Sequence, residues 1–342
     1  MSLLRYDVTT GDWVVLASAR GARPDRTGAR RRSEPALPVS FDPDCPFCPG
    51  NEAKTPATID AEPDAADGSR WSARLFENKF PALSSQANTE RRVTGPLFRD
   101  MDGHGRHEVL VESPHHARAL WDQPAEQVAR VLELLHRRAT ALGRDPRLEV
   151  VQIFKNSGSV AGSSIPHPHF QIIATPIVPR QLRVKFNTAA EHYQVTGRSV
   201  YVELCRAEIE SAVRMVASNE SFVAFTPFAS RTPYETWILP RRPAPTFDLA
   251  ERATLPALAA LLLDVLGRLR RVLDDPPFNL IVNSAPRRHA DEPDFVWHIE
   301  ILPRLSQPAG FELATGMAIN PVEPELAAEK LRNANAGDSS CR

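Results

Sequence analysis

The sequence predicts an α+β chain built from one unit used twice, each copy a mostly antiparallel sheet with a packed helix. Three observations carry this reading. Strand-like runs and a single long helical run recur in the same order in both halves. Glu108 in "HEVLVESPHH" and Glu235 in "YETWILPRRP" stand 127 residues apart, and so do Asn156 in "IFKNSG" and Asn283 in "LIVNSA". Landmarks that share one spacing are the mark of an internal duplication.

The elements follow in chain order. "WVVLAS" and "HEVLVES" are short, β-rich runs, and "PAEQVARVLELLHRRATAL" then places apolar residues at helical spacing. "EVVQIFKNS" and "FQIIATP" return to strand. The second half repeats the pattern with "SFVAFTPF", "YETWILP", the helix "LPALAALLLDVLGRLRRVL", "FNLIVNS" and "VWHIEILP". This sets an N-terminal half at 1–178, a helical connector at 179–219, a C-terminal half at 220–330 and a polar tail at 331–342 that holds Cys341. Laying "PHPHFQ" on "VWHIEI" needs a spacing of 131 residues, so the second copy has a loop four residues longer, a small cost for a surface loop. In that register His167 faces His298 and His169 faces Glu300, while the 127-residue spacing sets His116 against Pro243.

Composition narrows the function class. The 342 residues are 42% hydrophobic and 24% charged with a net charge of −1, which gives no bulk attraction for nucleic acid or an anionic membrane. The basic run Arg26 to Arg32 reads as a solvated loop. No stretch approaches the ~18 apolar residues of a membrane span, and the start lacks a signal-peptide layout. A cytoplasmic protein is expected. The four cysteines, Cys45, Cys48, Cys205 and Cys341, are too few for a disulfide framework and suit a reducing compartment.

Chemistry concentrates in two places. "DPDCPFCPGNE" sets Cys45 and Cys48 in a C-x-x-C turn, either a zinc knuckle or a redox pair. Pro43, Pro46 and Pro49 favour a rigid loop over the helix start that redox pairs use. Two thiolates need two more ligands, and "SPHH" (His115, His116) and His167 are available. The second place is "GSSIPHPHFQ". Strand alternation puts His167, His169 and Gln171 on one face, stiffened by Pro166 and Pro168. An imidazole spared from the metal can attack phosphorus if its far nitrogen keeps a proton on a fixed acceptor. Gln171 and the loop with Gly158, Gly162, Ser163 and Ser164 can supply donors to phosphate oxygens.

"HPHFQ" preceded by "NSG", with upstream "CPFC" and "SPHH", resembles the galactose-1-phosphate uridylyltransferase family of the histidine-triad superfamily. "SARGARPDR", "FENKFPAL", "PYETWILP" and "HIEILPR" extend the resemblance along most of the chain. The resemblance implies two fused histidine-triad-like halves in a homodimer, with one zinc ion on Cys45, Cys48, His116 and His167. It implies a nucleotidyl-His169 intermediate, with Gln171, Ser164 and Asn156 around the phosphate. Arg20 and Arg23, together with Asn78, Lys79 and Phe80, would meet the nucleotide. The implied reaction carries a nucleoside monophosphate, UMP first, from a nucleotide or nucleotide-sugar donor to a sugar 1-phosphate.

The acceptor segment departs from the family pattern. "AGFELATGMAINP", with Gly310, Phe311 and Glu312, lacks the usual lysine and tyrosine and is closer to the ADP-glucose phosphorylase branch. Adenylyl transfer, or uridylyl transfer to a specialised sugar 1-phosphate, is therefore the alternative within the class. Hydrolysis of the intermediate by water is the alternative outside it. Of the second metal site that some family members have, only His298 survives, and that site is expected to be empty.

Overall fold

The structure is a computed structural model, and it describes residues 2–19, 40–63 and 70–334. Arg20, Arg23, the basic run at 26–32 and Cys341 lie outside the described residues. The N-terminal half contains β1 (Leu3–Tyr6), β2 (Trp13–Leu16), β3 (Thr58–Pro63), β4 (Trp71–Glu77), β5 (Arg91–Thr94), β6 (Phe98–Met101) and β7 (Arg106–Val111). Helix α1 (Ala125–Gly143), β8 (Val150–Ser157) and β9 (His169–Thr175) complete it. Two helices connect the halves, α2 (Arg180–Thr196) and α3 (Val200–Ser211). The C-terminal half has β10 (Met215–Ser218), β11 (Phe222–Phe225), β12 (Thr236–Pro240), α4 (Leu255–Leu273), β13 (Phe278–Asn283) and β14 (His298–Pro303). Helix α5 (Gly310–Thr315), β15 (Ile319–Asn320) and α6 (Pro324–Asn333) follow.

Ten strands form one sheet in the order β10-β11-β12-β14-β13-β8-β9-β7-β4-β3. Read outward from the middle, the two sides match strand for strand: β8-β9-β7-β4-β3 against β13-β14-β12-β11-β10. The halves join by antiparallel pairing of β13 with β8, where Asn279 faces Asn156 and Ile281 faces Phe154. Helices α1 and α4 lie together on one face. Leu134, Leu135, Leu262 and Leu266 share a single core with Ile153, Ile172, Leu280 and Ile299. Each such aliphatic side chain contributes roughly 1.5–3 kcal/mol by leaving water, so the two halves stabilise one another.

The register of the duplication differs from the sequence expectation. Phe154 on β8 faces Gln171 on β9, and Ile281 on β13 faces Glu300 on β14. Phe154 and Ile281 keep the 127-residue spacing, so Gln171 corresponds to Glu300, and His169 corresponds to His298. The hydrogen bonds agree. His169 Nδ1 lies 2.8 Å from the carbonyl of His167, and His298 Nδ1 lies 2.9 Å from the carbonyl of Val296, two residues back in each case. The pairing of His167 with His298 and of His169 with Glu300 is thus corrected by two residues. The second loop is shorter than a motif-on-motif overlay implied.

The other face of the sheet breaks the symmetry. On the C-terminal half, Leu182, Phe186 and Tyr201 of α2 and α3 pack on Phe225, Trp237 and Leu239. On the N-terminal half, the corresponding face carries Phe47 and the two cysteines against Phe76, Val109 and Val111. "WVVLAS" is a strand, but it belongs to a separate three-stranded sheet in which β2 pairs with β1 and, in parallel, with β15.

Candidate active site and metal centre

The loop at 40–51 folds around its sulfurs. Cys48 N donates to Cys45 O, Asp42 N reaches Cys48 Sγ at 3.3 Å, and Phe47 N reaches Cys45 Sγ at 3.4 Å. Backbone N–H groups aimed at sulfur favour the thiolate form. His116 Nδ1 lies 3.4 Å from Cys48 Sγ, while His167 Nδ1 lies 3.7 Å from Cys45 Sγ and 3.6 Å from Cys48 Sγ. A tetrahedral zinc with ordinary Zn–S and Zn–N bonds requires sulfur–nitrogen edges of about 3.6 Å. His167 donates its other N–H to Ser113 O at 2.8 Å, which aims Nδ1 at the sulfurs. Burial lowers its imidazolium to about 4, so the ring offers a lone pair at neutral pH. Burial and the neighbouring Cys48 push the Cys45 thiol up, a penalty that a divalent cation would remove.

The four residues form a group able to hold a metal ion, and among the described residues no second group of His, Cys, Asp or Glu does so. His115 is exposed and outside the group. Thiolates and imidazoles together suit zinc.

β9 begins at His169, so His167 is not part of the strand face that was expected to align both rings. His167 lies before the strand with its ring on the sulfurs, and Phe47 touches both imidazoles edge-on at 6.2 and 5.3 Å. Because a carbonyl only accepts, His169 Nδ1 carries the proton, and Nε2 is left with a bare lone pair. Among the described residues nothing bonds to Nε2. Burial holds the imidazolium of His169 at about 4.

Gln171 lies two residues along β9 from His169, and Asn156 lies on the adjacent β8, two residues past the Phe154 that faces Gln171. Asn279 Nδ2 donates to Asn156 Oδ1 at 2.7 Å and to Ala161 O at 2.8 Å, and Arg304 Nε donates to Asn279 Oδ1. The C-terminal half therefore braces the glycine–serine loop of the N-terminal half. Gly158 (φ 86°) and Gly162 (φ 92°) take left-handed conformations that let Ser163 N close back on Gly158 O. Ser164 is exposed on this loop. Asn78 caps its own turn, with Oδ1 accepting from Phe80 N at 2.9 Å, while Lys79 and Phe80 are exposed. Gly310 and Phe311 are also exposed, and the Glu312 carboxylate accepts from Ala309 N at 3.1 Å. No hydrogen bond or ion pair ties this segment to Asn156, His169 or Gln171.

Three buried charges were missed in the sequence. Lys155 and Glu112 pair at 2.9 Å with almost no exposure, and Lys155 Nζ also lies 3.5 Å from His169 O. In the C-terminal half, Lys185 of α2 pairs with Glu300 and reaches Asn283 Oδ1 at 3.4 Å. His298 is fully enclosed, stacked on Trp237 at 5.0 Å, with Glu300 Oε1 3.5 Å from Nε2. The signal available was a lone lysine or glutamate inside an apolar run, as in "IFKNS" and "VLVES".

A cavity of about 330 Å³ lies between α3 and the end of β12, lined by Tyr201, Cys205, Leu239 and Arg241 among others. It shares no residue with the Cys–His group. Chemistry, not cavity size, places the candidate site at His169.

The chain is similar to known proteins along nearly its whole length. The family model for the galactose-1-phosphate uridyl transferase N-terminal domain matches residues 1–179. The chain is 32% identical over 334 residues to an ADP-glucose phosphorylase of Arabidopsis thaliana, covering 96% of this chain and 92% of that protein. It is 29% identical over 341 residues to a galactose-1-phosphate uridylyltransferase of Thermotoga maritima, covering 97% and 98%. The crystal structure of an Arabidopsis thaliana ADP-glucose phosphorylase with bound ADP-glucose superposes with a TM-score of 0.83 at 30% identity, covering 97% of this chain and 98% of that one. On this likeness across nearly its whole length, the chain belongs to the galactose-1-phosphate uridylyltransferase family.

Proposed function

We propose that the protein is a nucleotidyltransferase that carries a nucleoside monophosphate on His169 from a nucleotide or nucleotide-sugar donor to a sugar 1-phosphate. The observation that carries the reading is the 2.8 Å bond from His169 Nδ1 to the His167 carbonyl. It fixes the tautomer in which Nε2 is the nucleophile. Nε2 attacks the α-phosphorus, and the bond to the leaving phosphate oxygen breaks with its electron pair. The proton stays on Nδ1 throughout. Gln171, Ser164 and Asn156 hold the non-bridging oxygens, where charge stabilisation and positioning matter most. Arg20, Arg23, Asn78, Lys79 and Phe80 receive the nucleotide, and the segment with Gly310, Phe311 and Glu312 receives the acceptor.

Cys45, Cys48, His116 and His167 would hold one zinc ion per chain in a closed structural site. A bound zinc supplies rigidity to the loop and to the residues flanking His169. The exposed apolar side chains Leu4, Tyr6 and Trp13 of β1 and β2 support a homodimer.

UMP is the first reading for the transferred group. AMP is the second, favoured by the altered acceptor segment and by the relative whose structure holds ADP-glucose. Incubation with UDP-glucose and ADP-glucose, followed by intact mass measurement, tests both at once. The mass gained identifies the nucleotide. An adduct that survives in His169→Ala, or none on the unaltered protein with any donor, overturns the mechanism. Free monophosphate released without an acceptor would point to hydrolysis instead.

A further inference from the structure

Gln171 is held by a side chain that neither the nucleophile nor the metal centre requires. His107, half-buried on β7, has Nε2 2.9 Å from Gln171 Oε1 and Nδ1 3.1 Å from the backbone nitrogen of Ala82. A backbone amide can only donate, so Nδ1 is an acceptor. In a neutral imidazole the proton must then sit on Nε2, which donates to Gln171 Oε1. The orientation of a carboxamide is usually ambiguous from shape alone. Here the imidazole settles it, because the oxygen is taken and among the described residues none bonds to the NH₂ end.

The same residue reaches the segment at Asn78 to Phe80. Asn78 N donates to His107 O at 2.8 Å, and this backbone bond carries the link, since Asn78 Nδ2, 3.1 Å from His107 Nε2, is a donor facing a protonated nitrogen. Ala82, whose amide sets the tautomer, lies just past this segment.

We infer that His107 is a positioning residue: it fixes the Gln171 carboxamide so that its NH₂ faces the transferred phosphoryl group, and it couples that orientation to the segment Asn78–Phe80. The inference rests on the reading of Gln171 as a phosphate donor. In the step concerned, His169 Nε2 forms the N–P bond and the leaving phosphate oxygen takes the electron pair of the broken P–O bond. Gln171 donates a hydrogen bond to a non-bridging oxygen and transfers no proton. Without His107 the carboxamide is free to turn its oxygen toward the phosphate, where two acceptors oppose each other.

Two substitutions separate this role from simple packing. In His107→Asn, the carboxamide oxygen stands near the place of Nδ1 and still accepts from Ala82, but nothing reaches Gln171. In His107→Gln, the terminal NH₂ stands near the place of Nε2 and still donates to Gln171 Oε1. The measurement is the single-turnover rate of His169 nucleotidylation by intact mass, with UDP-glucose and ADP-glucose as donors. At saturating donor, His107→Asn is expected to be about 10–100-fold slower, less than the ~10²–10³-fold loss typical when a charge-stabilising donor is removed outright. Donor affinity should stay within about 3-fold, and His107→Gln should recover most of the rate. In a Gln171→Ala background, His107→Asn should add no further loss, since coupled residues are not additive.

A His107→Asn protein as fast as the unaltered one overturns the inference, as does an equal loss in the Gln171→Ala background. If His107→Asn fails to fold, His107→Gln carries the test. A rate within about 3-fold of the unaltered protein supports the role, and a loss as large as that of Gln171→Ala overturns it. Failure of the parent reading looks different, because the unaltered protein would then gain no adduct.

Discussion

The proposed nucleophile is set by which of its nitrogens keeps the proton. With Nδ1–H fixed on a carbonyl, His169 needs only to be neutral to react, and burial lowers its imidazolium to about 4. A group whose folded pKa lies that low stays uncharged throughout the neutral range, so the initial rate of adduct formation should be flat between pH 5.5 and 8. An ordinary histidine would produce a limb near pH 6.5, and a limb there in the rate profile would show that the ring is more solvated than the geometry implies. The buried pair behind it belongs to the same scale. Lys155→Met leaves Glu112 buried without its partner and should cost about 3–5 kcal/mol in urea unfolding. Lys155→Met with Glu112→Leu, which removes both charges, should recover much of that loss.

At the scale of elements, the cysteine loop and the start of β9 act as one unit. Cys48→Ser removes the sulfur that faces both imidazoles. It should lower zinc from about one per chain to well below that, and lower stability with it, because metal binding and folding are coupled. Elemental analysis beside thermal unfolding checks both. Helix α2 makes the opposite arrangement in the other half. Its Lys185 fills the space before Glu300, the counterpart of Gln171, and His298 is walled in by Tyr201, Trp237 and Phe295. The proper control for the intermediate is therefore His298→Ala, the true counterpart of His169. It should still acquire the nucleotide, and loss of the adduct at unchanged fold would show that the second half takes part.

At the scale of the whole molecule, the two halves share a ten-stranded sheet and the core that α1 and α4 form on one of its faces. No helix of the described residues is long and apolar enough to cross a membrane. The proposed acceptor segment, Ala309 to Pro321, belongs to this scale, since it lies far along the chain from His169, and it has neither lysine nor tyrosine. Sites that hydrogen-bond particular hydroxyls reject analogues lacking them by about 10⁴-fold or more. Replacing those contacts should make galactose 1-phosphate a poor acceptor, or one among several, while the adduct still forms readily. Steady-state comparison of galactose, glucose and pentose 1-phosphates checks this, and a strong, exclusive preference for galactose 1-phosphate would show that the segment does not contact the sugar.

The sequence by itself determined what depends on neighbours along the chain. Cys45 and Cys48 share one turn because two residues separate them, β9 is a strand because its run is short and apolar, and α1 and α4 show their apolar stripes at helical spacing. The duplication was legible for the same reason, as a repeated order of such elements. Only the tertiary structure decided the register between the copies, because strand pairing is set across the sheet, and loop length conceals it. A two-residue shift keeps every side chain on its face, so the alternation pattern cannot reveal it. What His107, Lys155 and Lys185 touch was equally out of reach. Their partners lie 64, 43 and 115 residues away, and a polar residue inside a strand declares a function only when the fold shows what it touches.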